Sequence, residues 1–247
     1  MNLTIKHIPK RYTQPAKSDF EDLYLAVRKQ EKRVYSDEQL QRLPEIDQLH
    51  AHHAEWKIRK RSADRLISRL WKKRRPLKIL EVGCGNGWLS AKMADVPDSQ
   101  VIGLDVNQAE INQALRVFKK HNLEFVYDTY NENTFENNKF DVIVFAASLQ
   151  YFPSVVNVLN QALSMLDHRG EVYILDTHFY DALEVGDADQ RSRGYYTSMG
   201  YPEMAEYYYH HSISEFWGYK YKILFNPGSV LNRIFKRDPF YWISIRK

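Results

Sequence analysis

The passage from Leu77 to Asp105 most restricts what this chain can fold into. An apolar run, Leu77-Lys78-Ile79-Leu80-Glu81-Val82, ends in Gly83-Cys84-Gly85-Asn86-Gly87, after which Trp88 to Ala94 takes helical spacing and Gln100 to Asp105 reads as a second strand. Strand, glycine turn, helix and strand make the pattern of a parallel βαβ unit, because parallel neighbours need a crossover connection. The pattern then repeats. Asn107 to Lys120 reads as a helix with Asn107 and Glu110 as capping residues, and Leu123 to Tyr127 as a third strand leading to Asp128. Phe140 to Ala147 is almost uninterruptedly apolar, the mark of a strand buried on both faces. Ser154 to Leu166 is the next helix, His168-Arg169-Gly170 a turn, and Glu171 to Asp176 a fifth strand. The expected core is α/β, with helices on both faces of a mostly parallel, doubly wound sheet.

The flanks differ from this core. Ser18-Asp19-Phe20-Glu21 and Ser36 to Gln39 are capping boxes, the second opening a short helix that Pro44 stops. About His50 to Arg75 is a longer amphipathic segment, with Trp56, Ala63, Leu66, Ile67, Leu70 and Trp71 on one stripe. After Asp176 comes a tyrosine-rich stretch of helical character, Tyr195 to Tyr221, broken at Gly200-Tyr201-Pro202 and holding a third capping box, Ser212 to Glu215. Tyr219 to Phe225 and Phe240 to Ile245 read as closing strands, separated by a turn at Asn226-Pro227-Gly228 and a small helix from Ser229 to Phe235. The expectation is a seven-stranded sheet whose last strand is antiparallel. Residues 1–75 form a helical extension, and residues 76–247 the main domain, with 177–217 as an insert before strand six.

Composition narrows the function classes. The chain has 247 residues, 44% hydrophobic and 27% charged, an ordinary globular balance. No apolar stretch approaches the roughly 18 residues of a membrane span, and the first residues lack the apolar run of a secretory leader, so a cytoplasmic protein is expected. One cysteine, Cys84, excludes an internal disulfide framework and a cysteine-cluster metal site, and no metal is expected. The net charge of +4 hides a division: residues 1–78 carry 20 Lys and Arg against 10 Asp and Glu, and the remainder 15 against 21. A basic third can serve nucleic acid, an anionic surface or an acidic substrate, or be a solvated helix face.

The glycine turn points to a ligand. Glycines let the backbone approach closely, the open helix end behind them offers unpaired N–H groups, and Asp105 at the end of the next strand can accept both hydroxyls of a ribose. A dinucleotide fingerprint needs a third glycine where the helix packs on the strand, and here that position is Trp88. Glu81, two residues before the first glycine, would repel a diphosphate but suits a cofactor bearing an amino group and positive charge. S-adenosylmethionine is favoured over NAD.

On these residues the stretch 76–176 resembles the core of a class I S-adenosylmethionine-dependent methyltransferase of the group acting mostly on small molecules, with a Rossmann-like sheet. The landmarks are the Glu81-Val82-Gly83-Cys84-Gly85-Asn86-Gly87 loop, Asp105, Asp128, Phe140-Asp141 with Ser148-Leu149-Gln150-Tyr151-Phe152 after that strand, and Gly170. The resemblance implies that Gly83, Gly85 and Gly87, with the backbone of Cys84 and Asn86, wrap the methionine part of the cofactor. It implies Glu81 near the amino group, Asp105 on the ribose, Val106 on the adenine, Asp128 with Thr129 at the adenine edge, and Ala146 near the methionine moiety. A small-molecule methyl acceptor is implied, with Gln150, Tyr151, Tyr195 and Tyr196 as contacts.

Methyl transfer from a sulfonium mainly requires alignment and exclusion of water, with a base only where the acceptor keeps its proton. His178, two residues beyond the fifth strand, is the best-placed base, with Tyr151 second. Cys84 reads as a packing residue and His210-His211 as a surface or satisfied pair rather than a metal site. The alternatives are a tRNA or rRNA methyltransferase using the basic arm, and a cofactor-binding module without catalysis. Against RNA, no recognised binding module accompanies the basic run, and Ala147-Ser148-Leu149-Gln150 lacks the Asn/Asp-Pro-Pro-aromatic signature of base-amine methylation.

Overall fold

A computed structural model describes residues 19–131, 134–135, 138–230, 232 and 238–247. The first capping residue, Ser18, and most of the small helix expected from Ser229 to Phe235 lie outside the described residues. Helices α1 (Asp19–Gln30), α2 (Asp37–Arg42) and α3 (His53–Trp71) precede the sheet. The core alternates β1 (Leu77–Val82), α4 (Trp88–Met93), β2 (Ser99–Asp105), α5 (Gln108–Val117), β3 (Leu123–Tyr127), β4 (Phe140–Ala146), α6 (Val155–Met165) and β5 (Leu166–Thr177). Then follow β6 (Phe179–Tyr180), α7 (Val185–Ser198), β7 (His211–Ser212), β8 (Lys220–Phe225) and β9 (Tyr241–Arg246).

Seven strands form one sheet in the order β3-β2-β1-β4-β5-β9-β8, and β9 runs antiparallel to both neighbours. The order reverses between β1 and β4, so the crevice at their carboxyl ends is the topological switch point. Two expectations need correcting in detail. The turn placed at His168-Arg169-Gly170 lies within β5, where the pairing with β4 shifts register between Phe140 and Val142. The region after β5 also contains a short parallel pair, β6 with β7, that no periodicity announced.

Alternation along β4 explains how one apolar run serves two faces. Ile143 and Phe145 pack with α6, whereas Val142 and Val144 pack with α3 and α4. Trp56, Ala63, Leu66 and Leu70 bury the inner stripe of α3, but Trp71 is 53% exposed and does not share it. The Ser36 and Ser212 boxes form as read, and Asn107 and Ser154 cap α5 and α6.

The opposite faces of the arm are electrostatically tied to the domain. Arg61 donates to Asp238 at 2.7 Å, Arg65 pairs with the same carboxylate at 2.7 Å, and Lys73 pairs with Glu171 at 2.6 Å. Arg69 donates to the Tyr173 hydroxyl at 2.8 Å, and Arg75 pairs with Asp141. Asp238 and Glu171 are each 2% exposed, so these acids are satisfied by the arm's cations rather than by water.

Leu66→Ala removes a fully buried side chain between α3 and the sheet and should cost about 2–5 kcal/mol in urea unfolding. Trp71→Ala should stay within about 0.5 kcal/mol, as exposed positions do. Equal losses at the two positions would contradict this packing.

Candidate active site

The glycine loop shows why each small residue is required. Gly83, Gly85 and Gly87 all have positive φ, at 73°, 53° and 78°. A Cβ on Gly83 would lie 2.4 Å from Ser148 Cβ, and one on Gly87 would lie 2.4 Å from the Phe125 ring. Gly87 therefore answers a packing demand between the loop and β3, and Gly83 one between β1 and the β4 exit. Ser148 reinforces that second contact by donating to the Val82 carbonyl at 2.6 Å.

Asp105 clamps the loop. Its Oδ2 accepts from the Gly85 amide at 2.7 Å and its Oδ1 from the Asn107 amide at 2.8 Å. Behind it, Glu21 of α1 accepts from the Gln108 amide at 3.0 Å and from the Tyr127 hydroxyl at 2.7 Å. Helix α1 is thereby pinned across the carboxyl end of β2, where it roofs the crevice.

Three adjoining cavities open beneath that roof, and Tyr24 and Ala147 line all three. One, of about 870 Å³, has walls of Leu104, Val106, Tyr130 and Phe152, with Asp105 and Asp128 at its polar end. The second, about 620 Å³, is bounded by Glu81, the Gly83 to Asn86 loop, Ala146, Glu110 and the cations Arg28, Arg33 and Arg59. The third, about 1300 Å³, holds Gln150, Tyr151, His178, Tyr195 and Tyr196, together with Asp176. The structure thus brings most of the expected site residues onto one connected crevice. Gly87 and Thr129 do not line it; the Thr129 amide instead donates to Asp128 Oδ1 at 2.7 Å.

Burial sets the electrostatics. Glu81 is 2% exposed, accepts a hydrogen bond from Ser90, and is pushed up to about 8. Glu110 is pushed up to about 7 by burial and then by the Asp105 charge, and burial also raises Asp105. The Cys84 thiol is driven well above its ordinary value by burial, so it stays a packing thiol. Burial raises the phenols of Tyr151, Tyr196 and Tyr24, which makes them donors rather than bases. Burial lowers His178, whose ring centroid lies 4.5 Å from that of Phe240. Gln150 is held by its own neighbours, donating to the Ala147 carbonyl at 2.7 Å and accepting from Thr177 at 3.2 Å. Tyr195 donates to Glu31 at 2.8 Å. His210 and His211 lie outside the three cavities, His211 bonding the Leu149 carbonyl at 3.2 Å.

Several wall residues escaped sequence reading. Arg28 of α1, Glu55 and Arg59 of α3, and Arg33 of the α1–α2 connection come from the N-terminal segment, where their side chains look like ordinary surface charges. Glu55 bridges two of them, accepting from Arg33 at 2.7 Å and Arg59 at 2.9 Å. Tyr130 lines the apolar cavity, and its buried hydroxyl has no hydrogen-bond partner among the described residues. No signal in the sequence marks it, because the contact is made by folding alone. Among the described residues no group of three or more His, Cys, Asp or Glu could hold a metal, and no helix is long and apolar enough to cross a membrane.

The crevice fits S-adenosylmethionine. An apolar slot with carboxylates at its polar end suits a purine nucleoside, Asp105 suits vicinal hydroxyls, and among the described residues the buried carboxyl of Glu81 lacks a cation that would ionise it. Comparison with known proteins agrees. A family model described as a methyltransferase domain matches residues 73–215. The malonyl-[acyl-carrier protein] O-methyltransferase of Acetivibrio thermocellus is 29% identical over 116 residues, covering 46% of this chain and 41% of that protein. The ubiquinone biosynthesis O-methyltransferase of Proteus mirabilis is 31% identical over 103 residues, 39% of this chain and 40% of its own length. The chain thus spans about two fifths of these curated relatives. The crystal structure of magnesium protoporphyrin IX methyltransferase from Synechocystis PCC 6803 with bound S-adenosylhomocysteine shares the fold. It has a TM-score of 0.59 at 12% identity and covers 93% of this chain and 100% of that one. The chain belongs to the methyltransferase-domain family.

Raised carboxyls have a thermodynamic signature. Glu81's folded value lies above its unfolded one, so its contribution to stability is complete below the unfolded value near 4.5 and is lost as pH rises through about 8. Glu81→Gln should therefore gain melting temperature relative to the wild type between pH 5 and 9 in the ligand-free protein. A constant difference across that range in scanning calorimetry would contradict a neutral, buried Glu81.

Proposed function

We propose that the chain transfers the methyl group of S-adenosylmethionine to a small organic acceptor held in the largest cavity. The observation that carries this reading is the meeting of all three cavities at Tyr24 and Ala147, which gives cofactor and acceptor a common boundary. The bound cofactor would supply an already activated methyl carbon, so the chain's own work is placement and exclusion of water.

Gly83, Cys84, Gly85 and Asn86 cradle the amino-acid end, with Glu81 facing the ammonium and Ala146 beside the loop; Gly87 supports that loop through its packing. Asp105 takes the ribose, Val106 the adenine face, and Asp128, steadied by Thr129, the adenine edge. Tyr151, Tyr196, Tyr195, Gln150 and His178 wall the acceptor chamber. Residues 76–247 constitute the methyltransferase domain, residues 1–75 its N-terminal extension, of which the helices from Asp19 onward wall the site, and residues 177–217 the acceptor-side insert. The pairing of Lys60, Arg61, Arg65, Lys73 and Arg75 with acids of this chain favours a small molecule over RNA, since those cations are committed within the fold.

Calorimetry should show S-adenosylhomocysteine binding to the wild type and a loss of about 1.5–3 kcal/mol in Asp105→Ala, the scale of charge-assisted hydrogen bonds. Unchanged affinity would remove Asp105 from the site, and no binding by the wild type would end this reading.

A further inference from the structure

The acceptor chamber contains an acid that the glycine-loop pattern does not announce. Asp176 is the last residue but one of β5, with only 6% of its surface exposed, and it lines the chamber. Its position relative to the cofactor crevice follows from the sheet. Ala146 pairs with Leu175, and the Ala147 amide donates to the Leu175 carbonyl at 3.0 Å. Asp176 therefore follows the strand partner of Ala146 and stands beside Ala147, which with Tyr24 borders all three cavities. Both residues are held in the left-handed region, Ala147 at φ 53° and Asp176 at φ 56°. Two non-glycine residues with positive φ, side by side at adjacent strand ends, cost about 1–3 kcal/mol each and persist where the surroundings over-determine them. Such strain collects at working sites.

We propose that Asp176 is the base that takes the acceptor's proton during methyl transfer, an inference that rests on the methyltransferase reading above. Ser62 of α3 donates to Oδ1 at 2.6 Å and fixes the carboxylate, and among the described residues no protein group donates to Oδ2. In the reaction the acceptor's lone pair forms the bond to the methyl carbon as the carbon–sulfur bond breaks. The electron pair of that bond stays on sulfur, and the acceptor's O–H or N–H proton passes to Oδ2. Asp176 returns that proton to solvent when the product leaves.

The charged groups around Asp176 suit the role. Burial dominates and pushes the carboxyl up to about 6; Arg59 and the Ser62 hydroxyl hold it down, while Asp238 and Glu55 push it further up. Arg28, Arg33 and Arg191, with Glu31 and His178, also face the chamber. A base titrating near 6 is ionised at neutral pH yet retains proton affinity, the compromise general-base catalysis requires. The neighbouring His178 is less suited, because its ring packs on Phe240 and burial lowers its basicity.

A binding experiment on the full chain tests the placement without any acceptor. S-adenosylmethionine carries a sulfonium charge that S-adenosylhomocysteine lacks, so ionised Asp176 should favour the former. Calorimetric titrations from pH 5 to 8 should show this preference growing by about fivefold or more through a midpoint near 6. Asp176→Asn, which tolerates the same backbone, should flatten the profile, and Ser62→Ala should move its midpoint upward. With tritiated S-adenosylmethionine and the small-molecule fraction of a cell extract, Asp176→Asn should slow transfer by roughly 10²- to 10⁴-fold. A profile unaffected by Asp176→Asn, or one abolished by His178→Gln instead, would overturn the inference alone. Failure of the wild type to bind either ligand would overturn the wider reading with it.

Discussion

The crevice depends on one carboxylate doing two structural jobs. By accepting from the Gly85 and Asn107 amides, Asp105 fastens the turn after β1 to the start of α5. The turn cannot relax away from the sheet, and the amides at its tip keep their direction. The sheet order supplies the rest: reversal between β1 and β4 leaves a gap at their carboxyl ends, and Ser148 locks the far side of that gap to Val82. A ligand entering here meets a preformed wall. That matters for methyl transfer, where alignment rather than chemical activation is the protein's contribution.

The N-terminal helices are more than a support for this crevice. Helix α3 buries an apolar stripe against the sheet, yet its polar faces reach two destinations. Arg61 and Arg65, joined by Lys73 just past the helix end, neutralise buried acids of the domain, while Glu55 and Arg59 turn inward to the chamber. Helix α1 contributes Tyr24 and Arg28 to the same wall. The site is thus assembled from residues separated by more than a hundred positions in the chain, and the arm completes an enclosure that the βαβ units alone leave open.

Much of the fold was legible because the signals were local. Apolar runs, glycine turns and capping boxes fix strands and helices within a few residues, and Ser36, Ser212, Asn107 and Ser154 cap as their neighbours require. The cavities beside the glycine turn were legible for a related reason: Glu81, the turn and Asp105, which line them, belong to one short unit. The acceptor side was not, because Arg28, Glu55, Arg59 and Asp176 converge from three elements and each looks ordinary in its own. Trp71 misled for a third reason. It follows the buried Leu70 directly, and the turn of about 100° per residue carries it off the inner stripe to an exposed face of α3.

The ion pairs between arm and domain change how the chain presents itself at a distance. A sequence with twenty cations in its first third suggests a positive face, but among the described residues nine of those cations, Arg28, Arg33, Arg59, Lys60, Arg61, Arg65, Arg69, Lys73 and Arg75, sit within 4 Å of a carboxylate. Paired opposite charges act as dipoles, whose potential falls off faster with distance than that of a bare charge, and salt shortens its reach further. Electrostatic guidance in this molecule is therefore short-ranged, felt at the mouth of the crevice more than across the surrounding solvent.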